Sequence, residues 1–162
     1  MQSPTHFTSL GIQEAIGNNA RFSMVHIGDG AQRITDVLGG HVDLTLMGVQ
    51  EALPYYQSGQ MKVLGILSDD RVEVMKDVPT MKEQGLDFVQ EIGYWFFMPP
   101  NTPKEIVNTF ADALEEVMKR PSVIKRLTDQ GLRPTFVRGE DFKKLIQDDG
   151  QRLIDLAKKY DL

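Results

Sequence analysis

Ser3-Pro4-Thr5-His6 places two hydroxyls, a proline and an imidazole inside what would be one helical turn. Ser3 suits a helix N-cap, and Pro4 suits the first helical position, where a missing N–H costs nothing. Backbone amides at such a start have no intrahelical acceptor and carry partial positive charge, so a carboxylate fits there. Two other stretches offer the same chemistry: the turn Gly28-Asp29-Gly30-Ala31 and the link Met47-Gly48-Val49. Ser3, Pro4, Thr5 and His6 are the preferred ligand-binding set, joined by Gly28, Gly30, Ala31, Met47 and Gly48. Each has a plainer reading. Ser3-Pro4 is also what any capped helix looks like, and the glycine turn suits a tight strand-to-helix connection needing positive φ. Asp29 would repel an anion unless it points away. His6 could donate to a ligand or serve the helix start, and Asp43 reads as a strand-shaping residue.

Other chemistries find less. There are no cysteines, so disulfides and thiolate chemistry are absent, and His6, His26 and His41 lack the i, i+4 spacing of a helical metal site. No metal and no cofactor is expected. No nucleophile, base and orienting group assemble along the chain, so no enzyme is expected. A net charge of −5 over 162 residues gives no electrostatic footing for nucleic acid. No apolar run approaches a bilayer span, and the start MQSPTHF lacks the charged-then-apolar layout of a secretory signal.

The elements that must position these residues alternate. A helix from Ser3 carries Phe7, Leu10, Ala15 and Ile16 and stops at Asn18-Asn19. Strands are expected at Phe22–Ile27, Val42–Met47 and Met61–Ser68. Between them come a helix with Ile34, Val37 and Leu38, closed by Gly39-Gly40, and another from Val49 to about Ser58. Thr80 and Glu83 have capping-box spacing before Gly85, as do Thr102 and Glu105. Phe88–Met98 reads as extended and aromatic-rich, with Trp95, Phe96 and Phe97 as core or interlobe packing rather than a ligand wall. The last third is helical: an apolar face on Ile106, Val107, Phe110 and Leu114, a helix opened by Pro121 and ended by Gly131, and a last helix from about Asp141. Lys143, Lys144, Lys158 and Lys159 read as its solvated face.

Such alternation predicts an α/β fold with a mostly parallel sheet and flanking helices. Residues 1–90 form one ligand-binding lobe on this reading, and residues 91–162 a hinge strand plus further helices. Three amphipathic helices in the last sixty residues have few strands to pack on. The strand that should feed the first helix is also missing ahead of Ser3, so the chain reads as an incomplete unit.

Taken in order, several motifs resemble the solute receptors of tripartite tricarboxylate transporters, the Bug receptors. They are Ser3-Pro4-Thr5-His6, the strand-turn-helix Val25–Ala31, Gly40-His41-Val42-Asp43-Leu44, and the run Gly59–Ile66. Arg71, Val78–Gly85, Trp95 with Pro99, Pro100, Thr102 and Pro103, and finally Pro121 and Gly131 complete the series. Two departures touch ligand identity: His26-Ile27-Gly28-Asp29-Gly30 stands where the family has a tyrosine-containing segment, and Gln2 stands where it has glycine. The resemblance implies a periplasmic-binding-protein-like, type II fold with two α/β lobes. It implies a receptor for a small carboxylate that serves the membrane components of a transporter, in the periplasm for the full-length parent. It also implies that this is the C-terminal part, with the later helices belonging to an incomplete first lobe. The rival expectation is a truncated interaction module that self-associates, as a homodimer, through orphaned helix faces.

Overall fold

The computed structural model describes residues 3–17 and 20–162. Helix α1 (Pro4–Ile16) starts as its sequence dictates. Ser3 is extended at the N-cap, its Oγ accepts the His6 N–H at 3.2 Å, and Pro4 occupies the first turn. Gly17, at φ 65°, ends the helix by donating its N–H to the Gln13 carbonyl. The stop expected at Asn18-Asn19 lies outside the described residues. Helix α2 (Gly30–Leu38) is capped by Asp29, whose Oδ1 accepts the Gln32 N–H at 2.9 Å. Helix α3 (Val49–Gln57) begins after Gly48.

The best-packed region follows α3. Ala52, Ile66, Met75 and Val78 are buried together, with Met47, Val49, Leu53, Tyr56, Val63, Val72 and Val74 packed around them. Met75, within a 3₁₀ turn at Glu73–Met75, is 1% exposed. Ile66 donates its N–H to Pro79 and accepts from Met81, which makes a parallel bridge between Ile66 and Thr80. The Thr80–Glu83 capping box forms in both directions. Thr80 N–H donates to Glu83 Oε2 at 2.7 Å, and Glu83 N–H donates to Thr80 Oγ1 at 3.1 Å. A second 3₁₀ turn, Lys82–Gln84, then closes at Gly85 with φ 85°.

Downstream lie α4 (Lys104–Met118), α5 (Pro121–Asp129) and α6 (Gly139–Lys159). Pro121 opens α5 and Gly131, at φ 73°, follows it, as expected. Helix α6 begins two residues before Asp141. The box expected at Thr102–Glu105 does not form. Pro103, with ψ 136°, is itself the N-cap, so Glu105 falls one position short of where the box needs it, and the Thr102 hydroxyl donates to the Pro99 carbonyl at 2.8 Å. Helix α1 lies on α6, where Gln13 Nε2 meets Tyr160 Oη at 3.3 Å and Lys159 pairs with Glu14 at 2.7 Å.

The expected mostly parallel sheet is not laid out as ladders among the described residues. The stretches 22–27, 42–47, 61–68, 88–98 and 133–137 are extended, yet among the described residues the Ile66–Thr80 bridge is the only pairing of strand type. A Gln90 N–H to Leu67 carbonyl bond, at 2.8 Å, ties residue 90 to the same extended segment. A ladder requires neighbours about 4.8 Å apart along their whole length. Here the extended segments instead border one open basin of about 2130 Å³. Several of their apolar side chains face solvent: Leu64 is 60% exposed, Ile92 70% and Phe97 72%. Trp95 and Phe97 rest one edge on Phe142 of α6, and Phe96 on Phe110 of α4, so the aromatic segment is tethered rather than buried as core.

Candidate functional site

Three helix starts were expected to offer free amides, and the structure separates them. At α2 the Asp29 carboxylate occupies the first turn. At α3 the Glu51 carboxylate turns back, and its Oε2 accepts the Gly48 N–H at 3.1 Å. Both helix starts are therefore served by a negative charge from their own chain, the group a bound carboxylate would replace. At α1 the cap is a neutral hydroxyl, and the first turn has no acidic residue. Ser3 Oγ and Thr5 Oγ1 lie 3.0 Å apart, either able to donate, which sets two hydroxyls side by side at the positive end of the helix. Thr8, one turn on, donates to the Pro4 carbonyl at 2.8 Å. The α1 start can thus present hydroxyl and amide donors to an anion without displacing a charged group.

The remaining expected residues divide. Pro4, Thr5, Met47 and Gly48 line the same basin, together with Thr8 and Arg33, whereas Ser3, His6, Gly28, Gly30 and Ala31 do not border it. Met47 packs on the Ala52–Met75 cluster, so its side chain belongs to the core. The Ala31 carbonyl accepts the Thr35 hydroxyl within α2. Gly28 has open space where a Cβ would stand. Neither Gly28 nor Gly30 has positive φ, which corrects the reading of a turn that requires it. Gly30 is small for another reason: a Cβ there would stand 2.9 Å from Glu51 Oε1 and 3.5 Å from Arg33 Nη2. The α2 start and the α3 start approach each other through that gap. His6 Nδ1 is shielded from solvent with no hydrogen-bond partner among the described residues.

Two residues at this junction were not anticipated. Glu51 was legible, because Gly48-x-x-Glu51 has capping-box spacing. Arg33 carried no sequence signal, since a lone arginine on a short helix reads as solvated surface. Among the described residues no three His, Asp or Glu side chains converge in a way that would hold a metal ion.

Comparison with known proteins agrees with this architecture. The model of the tripartite tricarboxylate transporter family receptor matches residues 2–162. Protein BugT of Bordetella pertussis is 27% identical over 134 residues, covering 82% of this chain and 41% of its own length. A solved structure described as a periplasmic transporter superimposes with a TM-score of 0.81 at 30% identity, over 96% of this chain and 52% of that one. MatC from Rhodopseudomonas palustris, solved with bound malate, gives a TM-score of 0.72 at 27% identity, over 94% and 52% respectively. The chain spans 35% to 43% of the length of the first curated relatives it matches and about half of the solved ones. A family match that runs from residue 2 to residue 162 means that the chain belongs to the tripartite tricarboxylate transporter receptor family.

Proposed function

We propose that this chain is part of a periplasmic receptor, not an enzyme, that binds a small carboxylate and passes it to the membrane components of a tripartite tricarboxylate-type transporter. The observation that carries the reading is the contrast between helix starts. Those of α2 and α3 hold their own carboxylates, whereas α1 offers the Ser3 and Thr5 hydroxyls and the Thr5 amide with no acidic competitor, the His6 amide being held by Ser3 Oγ. The bound malate of MatC supports the choice of a carboxylate. On this reading residues 1–90, organised as a mostly parallel sheet lobe, carry the ligand. Residues 91–162 supply the hinge and the C-terminal part of a first lobe. The ligand contacts are Ser3, Pro4, Thr5 and His6, with Gly28, Gly30, Ala31, Met47 and Gly48 on the facing turns.

Calorimetric titration with di- and tricarboxylates and their uncharged amides tests the proposal. Millimolar or weaker affinity is expected, about −4 kcal/mol or less in magnitude, because on this reading the ligand sits between two lobes and this chain spans half of its solved relatives. Submicromolar affinity would contradict that expectation. Replacing both Ser3→Ala and Thr5→Val should weaken carboxylate binding, and amides binding as well as acids would overturn the anion site itself.

A second reading has its own observation. Leu44, Leu64, Ile92, Phe96 and Phe97 on the extended segments, and Ile106 and Phe110 on α4, are exposed. An apolar surface of this kind could bury itself against a second copy. Light scattering decides it: a clean monomer at high concentration rejects self-association.

A further inference from the structure

We infer that Arg33 is a specificity-determining residue, the partner for a second carboxylate on the same ligand. The inference rests on the carboxylate reading of the α1 start. Arg33 sits in the first turn of α2 and lines the basin that Pro4, Thr5 and Thr8 of α1 also line. Its Nε is shielded from solvent and has no hydrogen-bond partner among the described residues. A guanidinium N–H out of water without an acceptor is an unmet cost, and buried polar groups nearly always find a partner. The neighbouring carboxylate does not meet it: among the described residues Arg33 Nε has no hydrogen bond to Glu51, whose Oε2 accepts the Gly48 N–H. Gly30 makes room for the Glu51 carboxylate, since a Cβ there would stand 2.9 Å from Glu51 Oε1 but in ordinary contact, at 3.5 Å, with Arg33 Nη2.

The chemistry that answers an unpaired planar fork of N–H donors is a carboxylate, which guanidinium binds in two parallel hydrogen bonds. A ligand carboxylate at α1 leaves a monoanion with nothing to offer Arg33. A dianion could reach both, so Arg33 separates dicarboxylates from monocarboxylates, while Ser3 and Thr5 serve either.

Nuclear magnetic resonance titration of the isotope-labelled chain, which reads millimolar affinities, tests this with the straight-chain dicarboxylates from succinate to adipate and with butyrate as monoanion. At least one dicarboxylate should shift both the α1 amides and the Arg33 Nε–H, and bind about tenfold more tightly than butyrate. In Arg33→Gln that ratio should fall to about one with butyrate affinity unchanged, and Arg33→Lys should restore part of it through charge alone. Shifts at the α1 amides with a still Arg33 Nε–H, or a ratio unaltered in Arg33→Gln, would overturn the role of Arg33 and leave the carboxylate site standing. Absence of any shift at the α1 amides with every acid would overturn the carboxylate reading, and the inference with it.

Discussion

The stretch from Val49 to Gly85 and the stretch from Phe88 to Val137 draw on similar residues, yet only the first closes on itself. In the first, α3, two 3₁₀ turns and the Ile66–Thr80 bridge converge on Met75 and Val78, and Thr80 and Glu83 cap each other. In the second, Ile92, Phe96, Phe97, Ile106 and Phe110 stay exposed, held by single aromatic contacts and by ion pairs such as Arg133–Glu91. The first region closes its capping box, its bridge and its apolar cluster largely within one stretch of chain. The second consists of faces and edges that require neighbours. Apolar burial needs a surface on the far side, and no local device replaces one.

The contrast can be broken most sharply at Met75. Met75→Ala should cost about 2–5 kcal/mol in denaturant unfolding, the range for emptying a packed methionine site. A loss below about 1 kcal/mol would mean that the Val49–Gly85 region is not the stable nucleus of the chain. Thr80→Ala removes the cap for the Glu83 amide and should cost about 1 kcal/mol. Circular dichroism melts of the two variants should rank in that order. Ile92→Ser, on the exposed side of the comparison, should move monomer stability by no more than about 0.5 kcal/mol. The same substitution should reduce self-association in light scattering if a second copy covers that face, and a large stability loss in a monomer would show that Ile92 is buried after all.

The smallest effect expected is one of pH. Hydrogen bonding from Arg71, then from the Thr80 amide, holds the Glu83 carboxyl below its usual 4.5. A carboxyl depressed in the folded state stabilises above the unfolded value, and that stabilisation disappears as pH falls through the folded one. The unfolding midpoint should therefore drop on acidification below about pH 4.5, with a shallower slope in Glu83→Gln. Because Arg71 and Glu83 are both solvent-accessible, added salt should shrink the difference. An identical slope in the two proteins would remove Glu83 from the explanation of acid sensitivity.

Helices were legible from sequence wherever their ends were written locally. Ser3-Pro4, Pro121, Gly85 and Gly131 all act at the expected places, because a cap needs only residues within a turn of itself. Thr102 shows the limit of pattern matching, since the same spacing fails once Pro103 takes the cap position. The candidate site was half legible. The α1 start follows from its residues, but that Asp29 and Glu51 occupy the other two starts depends on side-chain direction, which spacing does not encode.

The amino-acid sequence by itself determined the family, the helices and the neutral cap at α1, since each is carried by neighbours along the chain. Tertiary structure alone decided that Ile66 pairs with Thr80, that α1 lies on α6, and that Gly30 stands between Arg33 and the Glu51 carboxylate. The physical reason is that a helix closes its hydrogen bonds within four residues, whereas a sheet edge or an arginine finds its partner only through the packing of distant segments.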